Sequence, residues 1–184
     1  MRNIGVIGTG YVGLVTAVCL AELGHRVICA DNDRQKILKL KKGVVPFFEP
    51  GLDELVQKHK KSKRLSFTPD IGDAVKQSGI IFICVGTPSR PDGSADLSAV
   101  EKVASEIAAA MTEYKIIVEK STVPAETGIK IRRTIEMSSG QKAQFDVVSN
   151  PEFLREGQAL ADAMRPDRIV IGVESKRAEE AMRA

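Results

Sequence analysis

No apolar run in this 184-residue chain approaches the ~20 residues that a membrane-spanning helix needs, so no membrane span is expected. The first residues, MRNIGVIGTG, run directly into a strand pattern and lack the build of a signal peptide. Cysteine is scarce. Cys19, Cys29 and Cys84 lie inside apolar segments without metal-ligand spacing, so they read as small buried hydrophobes in a reducing compartment. No metal is expected, and the cytoplasm is the expected location. Excess charge is also missing. A net charge of +3 is too small to argue for a nucleic-acid partner. The one basic run, KHKKSKR (58–64), has no interleaved aromatics and reads as a solvated helix end and turn. His25 and His59 have no evident partner and are given no catalytic role. Internal repeats, linkers and low-complexity segments are absent as well.

What is present is the composition of an ordinary globular protein, with 43% hydrophobic and 28% charged residues. At this length one domain can bury roughly 70% of the surface of its unfolded chain. Strand and helix patterns alternate throughout. NIGVIG (3–8) is an apolar run that breaks into glycines, and YVGLVTAVCLAELG (11–24) follows with helical periodicity and a terminal glycine. RVICAD (26–31) reads as a second strand. Asp33 is placed to cap the next helix, which ends at Gly43. An amphipathic helix in LDELVQKHKK, a strand at 65–68, a short helix at 71–77 and a strand at 79–86 follow. Asp96 starts a long helix, and strands are expected at 115–121, at FDVVSN and at RIVIGV (168–173), with a helix at about 124–137. The strands are apolar on both faces, as in a parallel sheet covered on both sides. The expected fold is therefore α/β: a Rossmann-like, doubly wound, mainly parallel sheet with helices on both faces, forming one unit over 1–184.

GTGYVG supplies Gly8, Gly10 and Gly13 in dinucleotide-binding spacing, between a strand and a helix, with Asp31 ending the next strand. Gly8 permits the tight turn, Gly10 lets the backbone approach a pyrophosphate, and Gly13 lets helix pack on strand. The helix start, at Tyr11 and Val12, favours phosphate charge. Asp31 can accept bonds from ribose hydroxyls and repel a 2′-phosphate, which favours NAD over NADP, although Arg34 and Lys36 weaken that exclusion. Ligands in such sheets bind at the carboxyl ends of the strands, so Thr87, Ser121 and Thr122 are candidates for the same crevice. Pro124 suits a first helical position, which makes Val123 the cap and leaves the Thr122 hydroxyl free.

In SNPEFLREG (149–157), Asn150 suits a helix cap and Pro151 a first helical residue. Glu152 and Glu156 then share one helix face. Their chemistry leaves two readings open: decoration of a helix start, or carboxylates aimed at a substrate.

Six segments in order, VIGTGYVGL, FEPGLDELV, VGTPSRPDGSADLS, KSTVPAETG, NPEFLREGQAL and RPDRIVIG, resemble the N-terminal half of the UDP-glucose/GDP-mannose dehydrogenase family. NPEFLREG with RPDRIVIG is more similar to the UDP-glucose 6-dehydrogenase branch than to the GDP-mannose or UDP-N-acetylmannosamine branches. The resemblance implies NAD as cofactor, contacted by Val12, Asp31, Lys36, Thr87, Thr122 and Glu156. It also implies UDP-glucose as substrate, with Glu152 as acid/base residue, Thr122 positioning a catalytic water, and the backbone of Phe153, Leu154 and Arg155 holding the sugar nucleotide.

The family reaction takes the sugar C6 alcohol to a carboxylate with two NAD, through a thioester on a cysteine thiolate. A carboxylate such as Glu152 suits the proton transfers. The family's helical dimerisation segment and its cysteine-bearing C-terminal domain have no counterpart in these residues, and Cys19, Cys29 and Cys84 do not match the nucleophile. The expectation is a truncated chain that cannot complete the oxidation alone, with self-association a property of the full-length protein. A free-standing, non-catalytic NAD-binding module is the alternative of a different class.

Overall fold

Five βα crossovers carry a parallel sheet, and its strand order sets where a ligand can bind. A computed structural model describes residues 1–140 and 144–184. The elements are β1 (Asn3–Ile7), α1 (Tyr11–Glu22), β2 (Arg26–Ala30), α2 (Arg34–Lys42), α3 (Leu52–Lys61), β3 (Leu65–Thr68), α4 (Ile71–Gln77) and β4 (Ile80–Ile83). They continue with α5 (Ser98–Ala110), β5 (Lys115–Glu119), α6 (Thr127–Ser139), β6 (Phe145–Ser149), α7 (Ala159–Met164) and α8 (Lys176–Arg183). Six parallel strands lie in the order β3-β2-β1-β4-β5-β6. The order reverses between β1 and β4, which opens a crevice at their carboxyl ends.

Both sheet faces are covered, because alternate strand residues point to opposite sides. Ile4, Val6, Ile80, Phe82, Ile116 and Val118 pack with α1, α2 and α3. Ile7, Ile81, Ile83 and Ile117 pack with α4, α5 and α6. Helix α1 is buried along nearly its whole length, since α3 and α7 cover its outer side. Asp33 caps α2 by accepting the Lys36 N–H at 3.0 Å, and Gly43 ends that helix in the left-handed region at φ 85°. Among the described residues no helix is long and apolar enough to cross a membrane.

Four local expectations are corrected. Residues 151–155 are not helical. The Asn150 amide group is engaged elsewhere: Oδ1 accepts from Lys120 Nζ at 3.2 Å and Nδ2 donates to the Val170 carbonyl at 2.9 Å, so it cannot cap a helix. The segment 168–173 is not a strand of the sheet. It meets β6 only where Ser149 and Gly172 exchange backbone bonds of 2.9 and 2.8 Å, and Ile169 is left 67% exposed. Helix α6 starts at Thr127 after a turn closed by Thr127 N–H to the Pro124 carbonyl, so Pro124 is not its first residue. Both histidines have partners: His25 Nδ1 accepts the Arg2 N–H at 3.2 Å, and buried His59 sits 2.6 Å from Glu22.

Candidate functional site

The turn after β1 is the tightest point of the crevice. Gly8 has φ 99°, and a Cβ there would lie 2.4 Å from the Cys84 carbonyl oxygen at the end of β4. A Cβ on Gly13 would lie 2.0 Å from the Gly8 oxygen, so helix and strand close on each other only without side chains. Gly10 differs, because a Cβ would meet nothing within 4 Å. Its bare backbone faces open space at the start of α1, where no described side chain caps the helix. The first-turn amides of Tyr11, Val12 and Gly13 are thus free to receive an anion. This is the fit expected of a dinucleotide pyrophosphate.

Asp31 directly follows β2 beside that turn and is 7% exposed. Its Oδ2 accepts from Thr9 N–H (2.8 Å), the Thr9 hydroxyl (2.7 Å) and Lys36 Nζ (3.0 Å), while Oδ1 accepts from Asp33 N–H at 2.9 Å. Burial pushes the carboxyl pKa up, but the bonds from Asp33, Thr9 and Lys36 together outweigh it and hold Asp31 below the usual carboxylate range. Asp31 therefore stays ionised, with Oδ1 the oxygen that can take a further donor. Thr9, fully buried, was not singled out in the sequence, although a polar residue between the first two glycines is the one signal that marked it.

The loops after β4 and β5 are tied together. Ser121 Oγ donates to the Val85 carbonyl at 2.8 Å, and Thr87 Oγ1 donates to the Thr122 carbonyl at 2.7 Å. Both hydroxyl protons are committed to backbone, which leaves Ser121 and Thr87 their lone pairs. Thr122 is exposed, and its hydroxyl makes no bond among the described residues, so it is the free group on this rim.

Glu119, Lys120 and Asn150 sit beneath. Burial raises the Glu119 pKa to about 7 against the bond from Ser121 N–H at 2.6 Å. Burial lowers the pKa of Lys120, opposed by Cys84, Glu152 and Cys19. Lys120, Asn150, Glu152 and Phe153 line a cavity of about 720 Å³ on the α1 face of the sheet. Arg155, paired with Asp162 at 2.7 Å, and Arg168, 4.7 Å above the Phe153 ring, also line it. Cations outnumber acids along this wall.

Glu152 Oε2 accepts the Leu154 N–H at 2.6 Å, which fixes a local turn in place of the expected helix. Glu156 lies in an exposed turn and does not line the cavity, so the two glutamates are not brought onto one helix face. Gly8, Gly10, Asp31, Thr87, Ser121 and Thr122 do not line the cavity either. The structure thus separates a crevice at the strand ends from a cavity beside it, with the 119–122 segment contributing to both. The Tyr11 side chain turns away from the phosphate turn. Its hydroxyl donates to buried Glu49 at 2.6 Å, so only its backbone amide can serve a cofactor.

These features coincide with a known family. Residues 2–184 match the model of the UDP-glucose/GDP-mannose dehydrogenase family, NAD binding domain. The chain is 51% identical to the UDP-glucose 6-dehydrogenase TuaD of Bacillus subtilis over 97% of this chain and 39% of that protein. It is 54% identical to the UDP-glucose 6-dehydrogenase of Rhizobium meliloti over 98% of this chain and 42% of that protein. It thus spans about two fifths of the length of these curated relatives. A UDP-glucose dehydrogenase structure from Pyrobaculum islandicum superposes with TM-score 0.95 at 42% identity, covering 99% of this chain and 43% of the other. A ternary complex of GDP-mannose dehydrogenase from Pseudomonas aeruginosa does so with TM-score 0.94 at 41% identity, covering 98% and 43%. The uncapped, glycine-lined helix start lies beside an ionised aspartate that follows β2, and the chain belongs to the UDP-glucose/GDP-mannose dehydrogenase family, matching its NAD binding domain.

Proposed function

We propose that this chain supplies the NAD-binding domain and one wall of the sugar-nucleotide site of a dehydrogenase that oxidises UDP-glucose to UDP-glucuronate. The observation that carries the cofactor half is the open, uncapped helix start over Gly10 with Asp31 ionised beside it. Tyr11, Val12 and Gly13 amides would hold the pyrophosphate, and Asp31 with Lys36 the adenosine ribose. Thr87 and Ser121 would border the nicotinamide side, with Glu156 on the exposed turn beyond. NAD, when bound, supplies the hydride acceptor.

The residues around it hold and move protons. Thr122 presents an unengaged hydroxyl suited to orienting a water, and Glu152 presents a carboxylate beside Lys120 suited to general acid/base work. The cationic cavity wall suits an anionic sugar nucleotide, with the 153–155 backbone along it. None of the chain's own thiols suits thioester chemistry. Burial raises Cys19 to about 11 and Cys84 to about 12, and raises Cys29 as well, so all three are protonated at neutral pH. The nucleophile, like self-association, is assigned to the longer protein, and the buried free thiols suit a reducing cytoplasm.

Calorimetry tests the reading: NAD should bind saturably, and Asp31→Ala should weaken it about tenfold through loss of a charged acceptor. Absence of a binding isotherm refutes it. The 184-residue chain mixed with NAD and UDP-glucose should form no NADH, and sustained turnover would show that no further domain is needed. A second reading, GDP-mannose as substrate, draws on the only slightly lower likeness to that enzyme's structure, with TM-score 0.94 against 0.95. Turnover of the full-length protein on both sugar nucleotides decides between them.

A further inference from the structure

One buried carboxylate ties the head of α1 to the loop after β6. Glu49 is 4% exposed. Its Oε2 accepts the Tyr11 hydroxyl at 2.6 Å and the Gly157 N–H at 2.9 Å, and its Oε1 accepts the Leu160 N–H at 3.1 Å. Tyr11 is the first residue of α1, directly after Gly10, and its ring packs on Phe47 with centroids 5.3 Å apart. Gly157 turns the chain at φ 82°, and Leu160 lies at the start of α7. The Tyr11 oxygen also lies 2.9 Å from the Arg155 carbonyl, but its single proton favours the nearer, charged acceptor. Burial raises the pKa of Glu49. The bonds from Tyr11, Leu160 and Gly157 outweigh it, so the group is ionised at neutral pH. Without these donors a buried carboxylate would be unstable, and without the carboxylate the 155–160 backbone would lose its anchor.

We propose that Glu49 is a positioning residue that couples the phosphate turn to the 152–160 loop, so that dinucleotide and sugar nucleotide strengthen each other's binding. This rests on the function proposed above. A phosphate held by the first-turn amides restrains Tyr11, and Tyr11 restrains Glu49. The loop is then already ordered when its own ligand arrives, and the same advantage operates in the reverse direction.

Residue-resolved amide hydrogen exchange on the 184-residue chain, with and without NAD, tests it. Glu49→Gln keeps the size but removes the charge and turns an NH2 either towards the Leu160 N–H or towards the Tyr11 and Gly157 donors. The Gly157 and Leu160 amides should then exchange about tenfold faster without ligand, while Ile81 and Ile117 in the sheet are unchanged. Tyr11→Phe keeps the carboxylate with its bonds from Gly157 and Leu160, and it removes the hydroxyl that also accepts the Gly157 N–H at 2.8 Å, which cuts the link to α1. In the wild type NAD should slow the two loop amides about threefold, and in Tyr11→Phe it should bind without slowing them. A residue that merely filled space would not separate these two variants. Equal ligand-free exchange in wild type and Glu49→Gln overturns Glu49's hold on the loop. Equal slowing by NAD in wild type and Tyr11→Phe overturns the coupling. Failure of NAD to bind the wild type, seen by calorimetry, overturns the coupling together with the cofactor reading, and leaves the ligand-free comparison to judge the anchor alone.

Discussion

Replacing Glu119 by glutamine should stabilise the protein at pH 8 and leave it nearly unchanged at pH 4. Glu119 is 3% exposed at the end of β5. Its Oε1 accepts the Ser121 N–H at 2.6 Å, and its Oε2 has no partner among the described residues. Burial dominates and lifts the pKa from 4.5 to about 7. Below pH 4.5 the carboxyl is protonated in both folded and unfolded chains, so it makes no pH-dependent contribution. Between 4.5 and 7 the unfolded chain releases the proton while the folded chain keeps it, so stability falls as pH rises. At ~1.4 kcal/mol per unit the loss above pH 7 is about 3 kcal/mol. Glutamine cannot ionise and escapes that loss. It keeps an oxygen for Ser121 and leaves an NH2 where the acid leaves an unpartnered hydroxyl, which explains the small effect at pH 4. Urea unfolding followed by circular dichroism at pH 4, 6 and 8 reads it. With a slope of ~2 kcal/mol per molar, the midpoint should rise by ~1.5 M at pH 8. An equal shift at all three pH values, or a fall at pH 8, refutes the reasoning; the fall would mean that ionised Glu119 is stabilised by Lys120.

Two further outcomes are expected. Gly13→Ala places a methyl group 2.0 Å from the Gly8 oxygen, so the turn must open. Thermal unfolding should show a loss of about 1–3 kcal/mol, and NAD binding should disappear in calorimetry; retention of both would refute the close-approach role. The three buried thiols should stay unreactive towards a thiol reagent in the native protein and react completely in denaturant. One fast native equivalent would contradict their burial.

Much of the fold was legible because its signals are local. Each strand is a short apolar run, and the second helix carries its own punctuation in Asp33 and Gly43. The glycines of the phosphate turn were legible for the same reason, since spacing along one strand–turn–helix fixes their geometry. The pair Glu152 and Glu156 was not. A capping sequence at Asn150 looked complete, but the Asn150 amide bonds Lys120 and Val170, partners 30 and 20 residues away. The apolar run at 168–173 also looked like a strand, yet it finds only Ser149 to pair with.

The sequence by itself thus determined the strand–helix alternation, the nucleotide turn and the acid that accompanies it, because each depends on neighbours within a few residues. Tertiary structure alone decided the strand order that opens the crevice, the separate cavity beside Glu152, and the burial of Glu49 and Glu119. Those depend on which distant groups meet in a low-dielectric interior, where three donors hold one carboxylate below its usual range and a single donor leaves burial to raise another.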